Sequence, residues 1–505
     1  MMKIIEVYNQ RRVELEQKTT KINLRRLESF KRLINLFLAA VCLLLETVVF
    51  SYHWYVHFSG SLVEDLHFYQ RGHLLQIGIY VVMLFFFSKT YGGMRIGYLK
   101  NTEVIFSQIL ATLAVNVLTY AQLSLMAMEL FMLRFFLQMT FLQVLVIIAW
   151  INIANRIYHS VFPPRKLLLI HGSRPIEDIR NKFADRKDKY EIVNCMQVDV
   201  GIDEICREIT AGFESGIYHA VVIWDISALE RNILLKFCYA RSIRFYIMPK
   251  ITDVILLGSE ELNLFDTPLL LTREYCMTME QRFFKRTMDL LLAILLLLIT
   301  APVMAVTAVI IKLYDGGPVL YKQIRCTENQ REFNIMKFRS MRMDAEKDGV
   351  ARLAQKNDSR ITPVGRFIRK VRIDELPQLV NIIKGDMSFI GPRPERPQII
   401  EQYMEIMPEF AYRMKVKAGL AGYAQIYGKY NTSPYDKLKL DLTYIENYSI
   451  WLDAKLMMLT LKILFWPDST EGVESEQVTA FKEKFGKEHQ YMEKGKEWKE
   501  QKEPE

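Results

Sequence analysis

Four apolar runs occupy the first third of the chain. The first, Leu33–Tyr52, contains 20 residues, with Glu46 as its single charged residue. The others cover Leu74–Ser88, Ile105–Met126 and Phe135–Ala154. A helix rises about 1.5 Å per residue, so a run of roughly 20 residues matches the hydrocarbon core of a bilayer. The pattern predicts four transmembrane helices, with buried helices of a large soluble core as the alternative.

Charge alternates between the ends of these runs. Residues 1–32 are basic, the loop after the first run carries Glu64 and Asp65 with a single arginine, and the loop after the second run is basic again. No small-residue cleavage site follows the basic segment, so it is not a secretory signal. The positive-inside rule therefore places both ends of a membrane domain spanning residues 33–160 in the cytoplasm. The basic residues that set this orientation are Arg11, Arg12, Lys18, Lys21, Arg25, Arg26, Lys31, Arg32, Lys89, Arg95, Lys100, Arg156, Arg165 and Lys166.

Strand-like runs alternate with helical patterns after Pro163–Pro164. This alternation predicts a parallel α/β sheet of Rossmann type across residues 165–265. The first turn has one glycine, Gly172, where a dinucleotide fingerprint has three. A structural or regulatory module and a dinucleotide site therefore both stay open. The strand-like runs are Lys166–Ile170, Tyr190–Met196, His219–Trp224 and Arg244–Met248.

A fifth apolar run, Met288–Ile311, is interrupted by Pro302. Proline lacks a backbone N–H and disfavours helical geometry at the preceding residue, so we expect the helix to break there. The 14 residues Met288–Ala301 would then rise only about 21 Å, too little to cross the bilayer core. Basic residues flank both sides of the run, which assigns both ends to the same face. We expect a re-entrant membrane helix over residues 284–312, with a kinked full span as the alternative.

Composition agrees with a membrane protein that handles anions. The chain has 66 Lys and Arg against 57 Asp and Glu, a formal charge of +9. This excess suits an anionic lipid surface, a phosphorylated substrate or nucleic acid. Mean hydropathy is +0.05 despite 24% charged residues, because the apolar blocks raise it. The six cysteines form no CxxC pair, which favours reduced thiols over a zinc site or a disulfide framework.

Four short strings carry the candidate chemistry. They are KFRSM at Lys337–Met341, DELPQ at Asp374–Gln378, GDMS at Gly385–Ser388 and GPRPE at Gly391–Glu395. In this order and spacing they resemble the bacterial polyprenyl-phosphate hexose-1-phosphate transferases, also called monotopic phosphoglycosyl transferases. The resemblance covers essentially the whole chain. It implies a mixed membrane α and α/β fold: four N-terminal transmembrane helices, a Rossmann-like α/β middle domain, and an α-rich monotopic catalytic domain with a re-entrant membrane helix.

The resemblance implies transfer of a hexose 1-phosphate from a UDP-sugar to undecaprenyl phosphate with release of UMP, which initiates exopolysaccharide, capsule or O-antigen-type glycan synthesis. It implies a multi-pass protein of the bacterial inner membrane, with its catalytic domain, residues 280–470, on the cytoplasmic face. Expected partners are the UDP-sugar, undecaprenyl phosphate, the bilayer, a second copy in a homodimer and other polysaccharide-assembly proteins, and no nucleic acid. The alternatives are a glycosyltransferase that releases UDP and a non-enzymatic scaffold or regulator. The charged tail, residues 471–505, is expected to be a solvated helix or disordered.

The same resemblance assigns roles to the DELPQ carboxylates. In the family the aspartate is the covalent nucleophile and the glutamate helps hold Mg²⁺, roles that fall here on Asp374 and Glu375. A carboxylate that attacks the β-phosphorus forms an acyl phosphate while UMP departs. Mg²⁺ prefers one or two carboxylates together with phosphate oxygens, which matches so sparse a ligand set.

Cations and loop residues in the strings are candidates for binding phosphate, because arginine offers a planar fork of donors and proline fixes the backbone that aims it. Lys322 and Arg325 follow the membrane helix and are candidates for meeting the lipid phosphate. The basic run Arg360–Arg372 suits either anionic headgroups or substrate. The full set of phosphate or substrate candidates is Lys337, Arg339, Arg372, Asp386, Pro392, Arg393, Pro394 and Glu395.

Two later segments leave questions open. The family commonly has proline, threonine, tryptophan and asparagine where this chain has Ala418, Ala421, Tyr423 and Tyr427, so the particular sugar is not predicted. The apolar segment Leu456–Trp466 predicts either an interfacial amphipathic helix or a buried core helix.

Overall fold

Four long helices begin the first of two compact units, which are Met1–Met248 and Pro249–Glu505. Each predicted apolar run lies inside one of these helices, so the helical prediction for all four runs is confirmed. The computed structural model describes residues 30–59, 70–172, 176–264, 266–272, 276–343, 358, 360–428 and 432–464. The helices are α1 (Lys31–His53, continued by a π-helical turn over Trp54–Phe58), α2 (Gln70–Tyr91), α3 (Asn101–Ala127) and α4 (Leu133–Val161).

Polar side chains lie between these helices and leucines lie outside. Glu46 is completely buried and accepts hydrogen bonds from Gln108 Nε2 at 2.7 Å and Thr112 Oγ1 at 2.6 Å. Leu44 and Leu137 are by contrast 62% and 63% exposed. Helices packed in lipid show this arrangement, with ionisable groups facing the bundle interior. The basic residues 1–29 and the acidic Glu64 and Asp65 lie outside the described residues.

A parallel four-stranded sheet follows, in the order β2-β1-β3-β4. The predicted α/β alternation is therefore confirmed. A β-carbon on Gly172 would lie 2.2 Å from the Asp225 carbonyl oxygen, so the packing of the loops after β1 and β3 requires glycine there. The rest of that first turn, residues 173–175, lies outside the described residues. The elements are β1 (Arg165–His171), α5 (Ile176–Ala184), β2 (Tyr190–Gln197), α6 (Ile202–Glu214), β3 (Ala220–Trp224), α7 (Ala228–Ala240) and β4 (Phe245–Ile247).

The second unit contains the fifth apolar helix, α9 (Met279–Asp315). Pro302 lies inside this continuous 37-residue helix, so the prediction that the helix breaks at the proline is wrong. Proline removes one backbone hydrogen bond. The neighbouring turns keep theirs, because an unpaired backbone group in apolar surroundings is costly. In the described part of the chain, α1–α4 and α9 are long and apolar enough to cross a membrane, and they identify a membrane protein.

The rest of the second unit surrounds the first turns of α9 with short elements. Strands β7 and β8 form an antiparallel hairpin, and β9 and β10 pair in parallel. The elements before α9 are α8 (Ile251–Leu257) and the hairpin β5 (Glu260–Leu264) and β6 (Thr267–Leu271). Those after it are β7 (Leu320–Cys326), β8 (Glu332–Phe338), α10 (Pro363–Lys370), α11 (Gln378–Lys384), β9 (Met387–Ile390), α12 (Pro397–Ile406), β10 (Ala418–Ala421), α13 (Tyr423–Tyr427), α14 (Pro434–Glu446) and α15 (Ile450–Leu464).

Helix α15 combines the two alternatives that the sequence left open. Asp453 and Leu456 are fully buried, whereas Trp451 is 63% exposed and Leu461 is 50% exposed. The helix therefore has one core face and one exposed apolar face. Trp466 and the charged tail belong to residues 465–505, which lie outside the described residues.

Candidate active site

The Asp374–Glu375 pair lies on a short 3-10 turn that follows α10. Thr362 caps α10, since its hydroxyl accepts a hydrogen bond from Gly365 N at 2.9 Å. Arg372 has a φ of 59°, a left-handed conformation that redirects the chain into the turn Ile373–Glu375. Both carboxylates are thereby placed by α10 on one side and by α11 on the other.

Glu375 is surrounded by three cations. Lys337 Nζ lies 2.9 Å from Glu375 Oε1, and Arg393 Nη2 lies 3.5 Å from the same oxygen. Arg372 Nη1 lies 3.7 Å from Glu375 Oε2. Burial opposes ionisation of Glu375, but these cations outweigh it and hold its pKa well below the usual range. The glutamate is therefore ionised and serves as the anchor of a cationic cluster.

Asp374 has the opposite environment. Burial, together with repulsion from Glu375, raises the pKa of Asp374 to about 6, although nearby cations act against the shift. Its Oδ1 atom is buried and has no hydrogen-bond partner. A buried carboxylate oxygen without a partner is rare and costly, so Asp374 Oδ1 is a candidate for contact with an incoming ligand.

Helix α11 fixes Lys337 relative to the carboxylates. Asn381 on α11 accepts a hydrogen bond from Met336 N at 3.0 Å and donates one to the Asn334 carbonyl at 2.8 Å. Both partners lie on β8, the strand that carries Lys337. Burial lowers the pKa of Lys337, and Glu375 opposes that shift.

The GPRPE loop is held against β10. Gly391 N donates to the Ala421 carbonyl at 3.0 Å, and Gly419 N donates to the Pro392 carbonyl at 2.9 Å. A β-carbon on Gly391 would lie 2.3 Å from the Lys417 carbonyl oxygen, so this close approach requires glycine. The loop backbone is thus fixed while the Arg393 side chain, 43% exposed, extends to Glu375.

Other predicted site residues have partners away from the carboxylate pair. Arg339 pairs with Asp315 at the end of α9. Arg325, a predicted lipid-phosphate residue, donates to the Pro394 carbonyl at 3.2 Å and approaches Glu395. In the structure these two arginines therefore contact Asp315, the Pro394 carbonyl and Glu395, and among the described residues their hydrogen bonds and ion pairs do not include Asp374 or Glu375.

Two more predicted residues, Asp386 and Lys322, lie next to or on strands of the second unit. Asp386 accepts hydrogen bonds from Arg331 and Asn381 and lies where β9 begins. Lys322 is exposed on β7. Of the predicted set, the structure brings Lys337, Arg372 and Arg393 to Glu375.

Sequence reasoning missed the buried charges that support the loop. Arg413 donates to the Arg393 carbonyl at 3.0 Å and pairs with Asp441 at 2.8 Å. Asp441 is 1% exposed, and an isolated charge at that depth is unfavourable without a partner. The lone acid within the mostly apolar stretch after Lys439 was the available signal.

The carboxylate pair offers few oxygen donors for Mg²⁺. Among the described residues, no group of three or more His, Cys, Asp and Glu side chains could hold a metal ion. Both Glu375 oxygens face cations, whereas Asp374 Oδ1 has no hydrogen-bond partner. Mg²⁺ is commonly held by one or two carboxylates, water and substrate phosphates, so the pair fits an ion that arrives with a diphosphate.

Comparison with known proteins shows which family the chain belongs to. A family model described as bacterial sugar transferase matches residues 280–467. The "Uncharacterized sugar transferase EpsL" of Bacillus subtilis is 40% identical over 179 residues, which are 35% of this chain and 85% of that protein. The chain belongs to the bacterial sugar transferase family.

Larger relatives in this family are matched over part of their length. A "UDP-N-acetylgalactosamine-undecaprenyl-phosphate N-acetylgalactosaminephosphotransferase" of Aeromonas hydrophila is 44% identical over 36% of this chain and 44% of that protein. A "UDP-glucose:undecaprenyl-phosphate glucose-1-phosphate transferase" of Escherichia coli is 33% identical over 52% of this chain and 56% of that protein. The chain thus spans about half the length of these two relatives.

Proposed function

We propose that the protein transfers a hexose 1-phosphate from a UDP-sugar to undecaprenyl phosphate and releases UMP, the first step of an exopolysaccharide or capsule pathway. The observation that carries the proposal is the unpartnered Asp374 carboxylate oxygen beside the cations gathered on Glu375. The names of the two larger relatives supply the proposed substrate class, with UDP-glucose and UDP-N-acetylgalactosamine as donors.

The chemistry divides into two displacements. An Asp374 oxygen attacks the β-phosphorus of the UDP-sugar, the bond from that phosphorus to the bridging oxygen breaks, and UMP leaves. The enzyme then carries the sugar phosphate as an acyl phosphate. A phosphate oxygen of undecaprenyl phosphate attacks the same phosphorus, which forms the lipid diphosphate sugar and returns Asp374 as a carboxylate.

The cations stabilise charge on the phosphates during both steps. Lys337, Arg372 and Arg393 surround Glu375 at 2.9–3.7 Å, and an incoming diphosphate would meet this positively charged cluster. Such fixed positive groups favour the charge distribution of phosphoryl transfer. We propose that Glu375 would help to hold a Mg²⁺ ion that arrives with the diphosphate, and such an ion would supply further neutralisation of charge on the phosphates.

A re-entrant placement of α9 suits this reaction. Asp289 near its beginning accepts a hydrogen bond from Phe389 N at 3.1 Å, and Asp315 at its end pairs with Arg339. Both ends therefore contact the same catalytic unit, which favours one side of the membrane for both even though the helix continues through Pro302. With α1–α4 as four spans, this arrangement supports our proposal that the catalytic unit lies on the cytoplasmic face of the inner membrane.

We also propose a homodimer that uses the β5–β6 hairpin. Leu264, Leu269 and Leu271 lie on one face of this hairpin and are 44–45% exposed. A two-stranded hairpin with a bare apolar face is marginal alone, so a partner is expected. Glu260 and Glu261 disfavour an anionic lipid surface as that partner. Other polysaccharide-assembly proteins are further proposed partners of this homodimer.

A nucleotide-release assay tests the proposed function. Nanodisc-held protein would be mixed with undecaprenyl phosphate, Mg²⁺ and a panel that includes UDP-glucose and UDP-N-acetylgalactosamine. UMP release with at least one donor is the expected result. Release of UDP would instead indicate an ordinary glycosyltransferase, and no release with any donor would indicate a scaffold or regulator.

A further inference from the structure

The first turns of α9 carry a buried charge that holds the end of β9. Lys285 is 7% exposed, and its Nζ donates to Asp453 Oδ2 at 2.6 Å and to the Ile390 carbonyl at 3.0 Å. Tyr444 donates to the other Asp453 oxygen at 2.8 Å. Ile390 is the last residue of β9, three residues before Arg393.

Asp289, one turn farther along α9, holds the same strand. It is 3% exposed and accepts a hydrogen bond from Phe389 N at 3.1 Å. Two consecutive residues of β9, Phe389 and Ile390, are thus bound by two charged side chains of one helix. The backbone that leads into the GPRPE loop therefore cannot shift independently of α9.

Arg286 binds the other half of the site. Its two terminal nitrogens donate to the carbonyls of Ile382 and Ile383 at 2.6 and 2.7 Å. These carbonyls belong to the last turn of α11, where a cation also complements the helix dipole. Helix α11 begins three residues after Glu375, so Arg286 fixes the helix that follows the carboxylate pair.

We propose that Lys285, Arg286 and Asp289 are positioning residues that keep the Asp374–Glu375 turn and the Arg393 loop in register. The seating of the apolar helix α9 then sets the geometry between Glu375 and Arg393. The inference rests on the proposed function for its effect on turnover, but its structural part stands apart from it.

The chemistry of the cluster favours positioning over simple stability. Burying an ammonium group and carboxylates costs desolvation energy, and apolar residues of similar volume often serve stability as well or better. These charges, however, fix hydrogen-bond directions on specific backbone atoms of β9 and α11, which an apolar contact does not do.

Hydrogen–deuterium exchange on nanodisc-held full-length protein tests the structural part. Replacing both charges, Lys285→Met with Asp453→Leu, avoids a lone buried charge and should raise exchange at residues 387–396 selectively. Arg286→Gln should raise it at 376–386. The matched control is Arg282→Gln, which removes a half-exposed cation of the same helix that pairs with Glu328 at 3.3 Å. It should change neither segment. Unchanged exchange at both segments in the first two variants would overturn the proposal.

A double-mutant cycle on UMP release tests the catalytic part. In the background with Arg393, the Lys285→Met, Asp453→Leu protein should lose about tenfold or more in kcat/KM, as expected for a misplaced phosphate-binding group. In an Arg393→Gln background the same change should cost less than about twofold, because the group being positioned is already absent. Equal losses in both backgrounds would show an effect that does not act through Arg393 and would overturn the proposal.

The two readouts separate the inference from the proposed function. If the wild-type protein releases no UMP, the proposed function fails and the exchange data decide the inference alone. Selective loosening of the two segments would then support it, and uniform or absent change would contradict it.

Discussion

Lys337 Nζ lies 2.9 Å from Glu375 Oε1, so a residue of the β7–β8 hairpin is bound directly to the turn that carries Asp374. The neighbouring cations keep Glu375 ionised. Burial, and to a smaller extent the negative charge of Glu375, raises the pKa of Asp374 to about 6. Two adjacent carboxylates thus have pKa values moved in opposite directions. This separation is typical of residues that perform different tasks in one site.

The pH profile should report the ionisation of Asp374. A carboxylate attacks only when ionised, so kcat/KM for the UDP-sugar should fall about tenfold per pH unit below roughly pH 6. Lys337→Met removes a cation that stabilises the carboxylate and should move this limb to higher pH. Glu375→Gln removes a repelling charge and should move the limb of its residual activity to lower pH. Shifts in the same direction for both variants would contradict the assignment.

Arg393 and Arg339 should behave differently when replaced. Arg393→Gln removes an exposed cation that faces Glu375 and should lower kcat/KM roughly 10- to 100-fold, the value of a charged hydrogen bond to phosphate. Thermal unfolding should change little.

Arg339→Gln should instead reduce stability. It breaks the pair between Arg339, 8% exposed, and Asp315, 28% exposed, and because the remaining carboxylate is partly solvated the loss should be about 1–3 kcal/mol. Thermal unfolding in detergent, compared with the Arg393 variant, measures this. An unchanged unfolding temperature together with a large loss of kcat/KM would return Arg339 to the phosphate-binding set.

The orientation of α9 can be measured by cysteine labelling. Met279 and Tyr314, at its two ends, are 82% and 51% exposed. In a background without native cysteines, Met279→Cys and Tyr314→Cys should both react with an impermeant reagent from the cytoplasmic face only. Leu130→Cys, between α3 and α4, serves as the periplasmic control. Labelling of the two ends from opposite faces would show a full span.

The hairpin proposal has a matched control on its opposite face. Replacing Leu264 and Leu269 with glutamate should convert a dimer in nanodiscs or detergent into a monomer, as measured by mass photometry. Leu270, also exposed but on the other face, pairs with Glu261, and Leu270→Glu should leave the dimer intact. Dimers that persist in the first variant would place the interface elsewhere.

Most of the architecture follows from local pattern. Apolar runs of bilayer length and alternating strand and helix signals identify α1–α4 and β1–β4 without tertiary information. The predicted break at Pro302 was wrong because proline removes only one backbone hydrogen bond. Apolar surroundings favour keeping the hydrogen bonds of the neighbouring turns, so the helix continues.

The sequence identifies residues of the candidate site but not the side chains that they contact. The strings identify Asp374 and Glu375, yet nothing local shows that Arg339 turns to Asp315 or that Arg325 turns to Glu395. Those pairs join residues that are 24 and 70 positions apart. Long-range pairing depends on how α9 and the GPRPE loop pack, which a spacing argument does not contain.

The most direct test of the central claim is a single-turnover measurement without lipid acceptor. Purified protein with Mg²⁺ and an accepted UDP-sugar should release about one UMP per active site, and peptide mass spectrometry should find the sugar phosphate on Asp374. Asp374→Asn should abolish both signals, whereas Glu405→Gln, an exposed acid on α12, should keep them. A full burst of UMP from the Asp374→Asn protein, or turnover with no covalent adduct, would contradict the account.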